Sequence, residues 1–322
     1  VTLADVLEGY LRDRQLKSRS AADVRGHVDR TFAKWKDRPV VEISRDKVAR
    51  RFRELSTTAP IQANQAFRCL RALLNYARAR YRTPDDAPIL AENPVQVLSD
   101  MRAWNRQRAR NTYVPLDKIG KWWAAVQDRR ADPSLTAVGR TGGDLVAFLA
   151  LTGLRKGEAT GLRWSDIDLD DASLRLEDTK NGETIRLPLS SPAVTLLSAR
   201  DTDAKGEFVF PGRGGDGRIH DARPTLDKIA EATGIAVTPH DLRRTFRAVA
   251  GAVGIELWKA KALMNHKQRA DVTLGHYTDL EDVRYLRPEA EKIADHLEEQ
   301  AAIARAANVT TLERERAEAA DA

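Results

Sequence analysis

Amphipathic helical periodicity runs through the first 98 residues and constrains the fold more than any other feature. The segment TLADVLEGYLRDR places its apolar residues on one helical stripe behind Thr2, a residue type that caps helix N-termini. The pattern recurs behind Ser20, behind Ser44 and after Pro60, where proline suits a first helical turn. Four such stripes can bury one another, so we predict a compact helical domain over residues 1–98.

The pattern changes beyond residue 113. Helical periodicity in PLDKIGKWWAAVQDRR and TGGDLVAFLALTG gives way to two alternating segments, ASLRLED and ETIRLPLS, which flank an Asn181–Gly182 turn signal. A further short strand is predicted at EFVFP, and helices are predicted to open at Ser191–Pro192, after Asp221 and at Thr238–Pro239. The predicted fold class is therefore mainly α with a small antiparallel β-sheet.

Charge is distributed unevenly along the 322 residues, whose formal net charge is +6. Residues 1–110 hold 23 Lys and Arg against 13 Asp and Glu, whereas residues 111–287 hold 26 against 25. A basic amino-terminal third indicates a polyanionic partner, most simply nucleic acid, although a solvated surface would give the same count. Residues 288–322, with 4 basic against 9 acidic residues, form an acidic tail.

The segment 99–113 is predicted to be a basic linker, because it combines weak apolar periodicity with repeated arginines. An extended basic segment suits a phosphate backbone, and a merely soluble linker is the equal alternative. Its candidate DNA-binding residues are Arg102, Arg106, Arg108 and Arg110.

Cysteine content and hydropathy exclude a protein stabilised by internal disulfides and a protein that spans a membrane. Cys69 is the one cysteine, so no disulfide can form within the chain, and its apolar surroundings in FRCLRALLNY predict a core position. No apolar run is long enough to cross a bilayer, and no signal peptide opens the chain. We therefore expect a cytoplasmic protein with no membrane partner.

Six polar residues beyond position 150 form a candidate catalytic set. His240 and Arg243 in HDLRRTF are three apart at a predicted helix start, so they point the same way toward a site that favours anions. Alone, this pair would be read as a solvated basic face. The ordered set is Arg155, Lys180, His240, Arg243, His266 and Tyr277.

The motifs that carry this set resemble those of the tyrosine recombinases, the phage-integrase family of site-specific DNA recombinases. They are GLRKGE followed by LRWSDID, then TKNGETIRLPLS, HDLRRTF, and NHK followed by HY. The resemblance covers about residues 1–287, and it implies a helical core-binding domain (1–98), the linker (99–113) and a catalytic domain (114–287). It further implies a C-shaped clamp around duplex DNA.

The resemblance also implies a chemistry that needs no cofactor. Arg155 and Arg243 would grip the nonbridging oxygens of one phosphodiester with planar forks in place of a metal ion, and His266 would donate a third hydrogen bond. Tyr277 would attack phosphorus to give a 3′-phosphotyrosine link, so that neither ATP nor metal is required. His240 is the candidate proton acceptor for Tyr277, and Lys180 the candidate donor to the leaving 5′ oxygen.

Several residues compete for these roles. Glu158 is predicted to hold Arg155 in place rather than to react, and His276 is a rival of His266. Tyr285 is the rival nucleophile, but it opens another apolar stretch and is predicted to pack. The spacing of eleven residues between His266 and Tyr277 is slightly longer than the family's common one, which leaves the path of that loop open.

The partners implied are a double-stranded recombination site, a homo-tetramer on DNA that is a monomer or weak oligomer when free, and accessory DNA-bending proteins. The alternatives are relaxation of DNA in the manner of a type IB topoisomerase, and a catalytically silent DNA-binding protein. The tail 288–322 is predicted to be helical, either as a subunit-exchange helix or packed on its own domain.

Overall fold

The computed structural model describes residues 1–107, 111–177, 184–201, 206–213, 215–265 and 283–320. At positions 201, 283 and 309–320 the description is confined to the backbone. The chain divides into two compact units, Val1–Ala109 and Arg110–Ala322.

The first unit is helical, as its periodicity predicts. Its helices are α1 (Leu3–Asp13), α2 (Ser18–Thr31), α3 (Arg45–Thr58), α4 (Pro60–Arg80) and the short α5 (Val97–Asp100). Thr2 caps α1, accepting from the backbone N–H of Asp5 while the Asp5 carboxylate accepts from the N–H of Thr2. The second helix begins at Ser18, earlier than the predicted cap at Ser20. Its N-cap, Lys17, makes no side-chain capping bond, so sequence held no cap signal to mark the true start.

The core of this unit lies where α1, α2 and α3 pack on the long helix α4. The ring of Phe67 makes edge-to-face contacts there with Phe32 and Phe52, with centroid distances of 5.1 and 5.2 Å. Cys69 is half-buried beside this core, and burial raises the pKa of its thiol to about 11. This thiol is therefore protonated and inert at neutral pH.

Part of the predicted linker packs on this unit. The side chain of Asn64, which is fully buried, donates to the carbonyl of Asn105 (2.8 Å) and accepts from its N–H (3.1 Å). The Trp104 indole lies edge-on to Phe52 and donates to Ser99 Oγ (3.1 Å). Residues 99–105 thus form the edge of the folded unit, beyond the predicted domain end at residue 98.

The second unit is built around one buried helix. The helices described in it are α6 (Ile119–Ala131), α7 (Ala137–Thr152), α8 (Lys156–Gly161), α9 (Ser191–Asp201), α10 (Arg223–Thr233), α11 (Pro239–Ala252), α12 (Leu257–Leu263) and α13 (Val283–Ala320). Every residue of α7 from Leu145 to Thr152 is buried, and α6, α9, α10, α11 and α13 pack around it.

A three-stranded antiparallel sheet lies beside these helices, in the order β1 (Ile167–Asp168), β2 (Ser173–Leu176), β3 (Ile185–Pro188). The pairing of β2 with β3 agrees with the predicted hairpin, while the intervening Asn181–Gly182 turn lies outside the described residues. The predicted strand at EFVFP is wrong. Phe208 makes an isolated bridge with Arg163, and Pro211 makes another with Arg218, so the segment pairs with two different partners and forms a ladder with neither.

The acidic tail continues helix α13, which packs on α6 of the same chain. Ile293, Leu297 and Ala301 are buried, and the Glu298 carboxylate accepts from the Trp123 indole at 3.0 Å. At Gly120 of α6 an added Cβ would overlap the carbonyl of Gln300, so only glycine allows this approach of the two helices. Within the described ranges, no helix combines the length and the apolar character that a bilayer crossing requires.

Candidate active site

The first element of the site is the turn that ends α7. Gly153 caps this helix in the left-handed conformation (φ +63°), and a Cβ there would lie 2.7 Å from the Phe246 ring. Only glycine satisfies both conditions, so the chain turns sharply here and Arg155 follows two residues later as the N-cap of α8.

Glu158 fixes Arg155 from one turn further along. One carboxylate oxygen accepts from the Arg155 side chain at Nη1 (2.6 Å), and the other accepts from its backbone N–H (2.9 Å). The same Nη1 atom contacts the carbonyl of Asn265 at 3.4 Å. The Arg155 side chain keeps about a third of its surface exposed, so it is oriented and still open to a ligand.

Arg243 reaches the same turn from helix α11. Its side chain is buried (7% exposed) and donates from Nη1 to the carbonyl of Gly153 at 2.9 Å. Its Nη2 atom is buried without a hydrogen-bond partner among the residues that the structure describes. Burial, together with the positive charge of Arg155, lowers the pKa of Arg243 well below its ordinary value, to about 10. A buried cation with an unused donor is expensive unless an anion binds to it.

His240 lies in the first turn of α11, where the charges of both arginines affect its pKa. The loss of water around its ring lowers its pKa below 6.5, and the charges of Arg244, Arg243 and Arg155 add to this effect. The imidazole is therefore neutral at pH 7, which is the form that can accept a proton.

Two residues that sequence reasoning did not single out hold the start of α11. The buried Asp241 carboxylate accepts from the Thr238 backbone N–H (2.9 Å) and hydroxyl (2.6 Å), and from Arg244 (2.7 Å). The Thr245 hydroxyl donates to the Asp241 carbonyl and accepts from the backbone N–H of Val114. The spacing of Thr238 and Asp241 is a capping-box signal that could have revealed the first contact, whereas nothing local marks the bond to Val114.

The structure therefore brings together three of the predicted catalytic residues. Arg155 and Arg243 are far apart in sequence. Arg243 donates to the carbonyl of Gly153, two residues before Arg155, and Arg155 donates to the carbonyl of Asn265. The positive charges of both arginines lower the pKa of His240. Two guanidiniums beside one neutral imidazole suit a monoanionic ester that gains charge during reaction.

The structure describes only some of the other predicted site residues. Lys180, His266 and Tyr277, and the rival His276, lie outside the described residues. Tyr285, the rival nucleophile, begins the described part of α13, where its ring stacks on Trp258 with centroids 6.3 Å apart.

Among the four linker arginines, the structure describes Arg102 and Arg106, and both are exposed. Arg102 adopts a left-handed backbone (φ +51°) at the turn that carries the chain toward Trp104. Arg108 and Arg110 fall in a range that the structure does not describe.

A basic groove of about 410 Å³ opens on the first unit, between the end of α2 and helix α3. Its lining residues are Arg30, Thr31, Ala33, Lys34, Trp35, Lys47, Arg50, Arg51 and Glu54. Glu54 pairs with Arg51 (3.2 Å), whose guanidinium also donates to the Thr31 carbonyl. The other four cations have no carboxylate partner within the part of the chain that the structure describes, so the groove is strongly positive.

Comparison with known proteins decides the family of the second unit. Residues 140–284 match the phage integrase family. This domain belongs to the phage integrase family. The matched span contains all six predicted catalytic positions, from Arg155 to Tyr277.

Curated relatives of the integrase domain extend the likeness. The chain is 26% identical over 243 residues to the prophage integrase IntF of Escherichia coli, spanning 72% of this chain and 49% of that protein. It is 27% identical over 177 residues to the tyrosine recombinase XerA of Saccharolobus solfataricus, spanning 53% and 58%. The chain therefore matches about half the length of these curated relatives.

Solved structures agree in fold. A lambda integrase tetramer bound to a Holliday junction superposes with a TM-score of 0.63 at 19% identity, over 84% of this chain and 79% of that one. At this identity the likeness establishes the architecture of the integrase domain and its helical companion, and no more.

Proposed function

We propose that this protein is a site-specific DNA recombinase that cuts and rejoins DNA strands through a 3′-phosphotyrosine intermediate. The observation that carries the proposal is the pair of guanidiniums at the turn after α7. The Arg155 side chain is about a third exposed and held by Glu158, and Arg243 is buried with a donor at Nη2 that has no partner among the described residues. Both features suit a site built to receive a phosphodiester.

The reaction follows from the charges that develop. The Tyr277 oxygen attacks phosphorus, its proton passes to His240, and the bond from phosphorus to the 5′ oxygen breaks. Lys180 donates a proton to that leaving oxygen, and His266 joins the arginines in stabilising the nonbridging oxygens. Attack by the freed 5′ hydroxyl of a second strand reverses these steps and restores the tyrosine. The phosphotyrosine link conserves the bond energy throughout.

The first unit supplies sequence-independent DNA affinity in this proposal. Its basic groove carries Arg30, Lys34, Lys47 and Arg50, whose charges match a phosphate backbone. Residues 1–98 would form the core-binding domain, 99–113 the basic linker that tracks the backbone, and 114–287 the catalytic domain.

Exchange of strands between two sites requires four copies of the active site, so we propose a homo-tetramer on a Holliday junction. The free protein would be a monomer or weak oligomer, and accessory DNA-bending proteins would assist synapsis. It would act in the cytoplasm on chromosomal or phage DNA. The lambda integrase tetramer on its junction supports this assembly by likeness of fold.

The two alternatives are less well supported. The curated relatives are integrases and recombinases, which favours recombination over topoisomerase-like relaxation. A silent DNA-binding protein would gain nothing from a buried cation such as Arg243, whose Nη2 has no partner within the described part of the chain, because an uncompensated charge lowers stability.

A nicked suicide duplex provides the test. Incubating the protein with the DNA that flanks its gene and sequencing the junctions would first define the crossover site. Wild-type protein should then form a covalent adduct on a nicked duplex of that sequence, and Tyr277→Phe should bind equally but form none. Tyr285→Phe is the matched control and should react normally. An adduct that persists in Tyr277→Phe and disappears in Tyr285→Phe would move the nucleophile to Tyr285.

A further inference from the structure

Two helices flank the segment that contains the predicted nucleophile. Helix α12 ends at Leu263, helix α13 begins at Val283, and both His266 and Tyr277 lie between them in sequence. Any contact that joins α12 to the first turns of α13 therefore fixes the two ends of that segment relative to each other.

An ion pair makes such a contact. Lys259 of α12 donates from Nζ to Glu289 Oε1 of α13 at 2.6 Å, with side chains 21% and 9% exposed. The other oxygen, Glu289 Oε2, is buried without a partner among the described residues. This carboxylate therefore depends on Lys259 for compensation, and a shift of either helix would strand a buried charge.

An aromatic stack reinforces the pair. The rings of Trp258 and Tyr285 lie nearly parallel (21°) with centroids 6.3 Å apart, one from each helix. The Lys259 ammonium lies 5.6 Å from the first centroid and 5.3 Å from the second, within the range of cation–π attraction. Glu256 accepts a hydrogen bond from the Trp258 indole and so orients that ring. We call Trp258, Lys259, Tyr285 and Glu289 the α12–α13 clamp.

The clamp is also connected to the arginine site. Asn265 follows α12 directly, has a left-handed backbone (φ +48°), and presents its carbonyl to Arg155 at 3.4 Å. On the other side, Arg287 of α13 donates to the Asp171 and Ala172 carbonyls that lead into β2. One end of the segment is thus tied to the phosphate-binding residues and the other to the sheet, with the clamp between them.

We propose that the α12–α13 clamp is a set of positioning residues that holds the nucleophile segment in reach of Arg155 and Arg243. The inference rests on the proposed function, because it assigns these residues to the same cleavage step. A nucleophile that reacts within a folded site gains rate from fixed geometry, and small displacements forfeit much of it. Trp258, Lys259, Tyr285 and Glu289 need not touch DNA for this purpose.

Single-turnover cleavage of the suicide duplex tests the clamp in the full chain. Lys259→Met and Tyr285→Ala should each slow adduct formation by about 10- to 100-fold, with the Kd for the same duplex unchanged. Tyr285→Phe keeps the ring and should restore the rate. The matched control is Arg130→Met, which breaks the half-buried Arg130–Asp144 ion pair (2.7 Å) elsewhere in the same unit. It should lower the Tm while leaving the rate per folded molecule unchanged.

The outcomes separate the two proposals. If wild-type protein forms no adduct, the proposed function fails and the positioning role fails with it. If wild-type protein reacts and the folded Lys259→Met and Tyr285→Ala variants react equally fast, the function stands and the clamp is refuted. Equal slowing by Arg130→Met would reduce the effect to general stability and would also refute it.

A distance measurement tests the clamp without catalysis. Spin labels at Leu257 and Lys292, both exposed, in a Cys69→Ser background should give a narrow distance distribution. Lys259→Met should broaden it and Arg130→Met should not. An unchanged distance distribution in Lys259→Met would overturn the inference. Because this measurement does not need Tyr285→Ala, it tests the clamp even where that variant fails to fold.

Discussion

Replacing Arg243 by methionine should stabilise the free protein while abolishing cleavage. Burial lowers the pKa of Arg243 from the ordinary arginine value to about 10, which means that the folded state disfavours the charged form. At about 1.4 kcal/mol for each pH unit, keeping this charge in the fold costs about 3 kcal/mol at pH 7. For a base whose folded-state pKa is depressed, this cost is fully present below about pH 10 and declines above it.

The substitution has one opposing effect. It removes the hydrogen bond to the Gly153 carbonyl, and a buried acceptor left without its donor costs about 1–3 kcal/mol. The net expectation lies between no change and a stabilisation of about 2 kcal/mol, which corresponds to a rise in Tm of up to about 8 °C for a unit of this size.

Arg200 is the matched control, because it is a largely buried arginine of the same unit (13% of its side chain exposed) that is fully partnered. It pairs with Asp144 at 2.6 Å, donates to the Val209 carbonyl and lies over the Phe210 ring. Arg200→Met strands Asp144 only in part, since Arg130 remains, but it should still cost about 3 kcal/mol and lower the Tm by about 6–12 °C.

Thermal unfolding followed by fluorescence measures both variants. Inorganic phosphate should raise the Tm of wild-type protein more than that of Arg243→Met, since only the wild type gains a partner for its buried cation. A Tm for Arg243→Met that falls as far as that of Arg200→Met would refute the reasoning. It would mean that Arg243 is already compensated in the free protein and that the turn after α7 was not built for an anion.

Four further predictions follow from the same structure. The cleavage rate should fall as the pH drops through a pKa below 6.5, because protonation removes the acceptor; His240→Asn should be slower by about 10²- to 10⁴-fold and lack this limb in a pH–rate profile. Lys34→Ala and Arg50→Ala should each reduce the slope of log Kd against log salt by about 1, measured by fluorescence anisotropy; an unchanged slope would mean that the groove does not bind phosphate. Gly120→Ala should cost about 1–3 kcal/mol in denaturant unfolding because its Cβ meets the backbone of α13, whereas Gly157→Ala, with open space around it, should not destabilise the protein. Cleavage should survive excess EDTA, since the arginines stabilise the charge; loss of activity that Mg²⁺ restores would contradict this mechanism.

The sequence alone determined the features that depend on neighbours along the chain. The cap at Thr2, the proline start of α4 and the pairing of β2 with β3 follow from short-range periodicity and turn chemistry, and all are present. The spacing of His240 and Arg243 likewise placed both at the start of one helix, because three residues make nearly one turn.

Tertiary structure decided which distant surfaces meet. No local pattern marks Trp104 and Asn105 as part of the first unit, since their partners Phe52 and Asn64 lie about forty residues or more earlier. EFVFP has the composition of a strand, yet a strand needs one neighbour with several matching donors and acceptors. This segment instead makes isolated bridges with two separate residues, Arg163 and Arg218.

The same distinction holds at the site. The sequence named Arg155 and Arg243, but the burial of Arg243 and its bond to the Gly153 carbonyl exist only because α11 packs against the end of α7. Likewise, the thin apolar stripe of α13 did not reveal which surface would cover it. The structure shows that this surface is α6, where Gly120 allows the close approach of the two helices. Hydrophobic patterning specifies that a face must be buried, whereas the surface that buries it depends on packing across the whole unit.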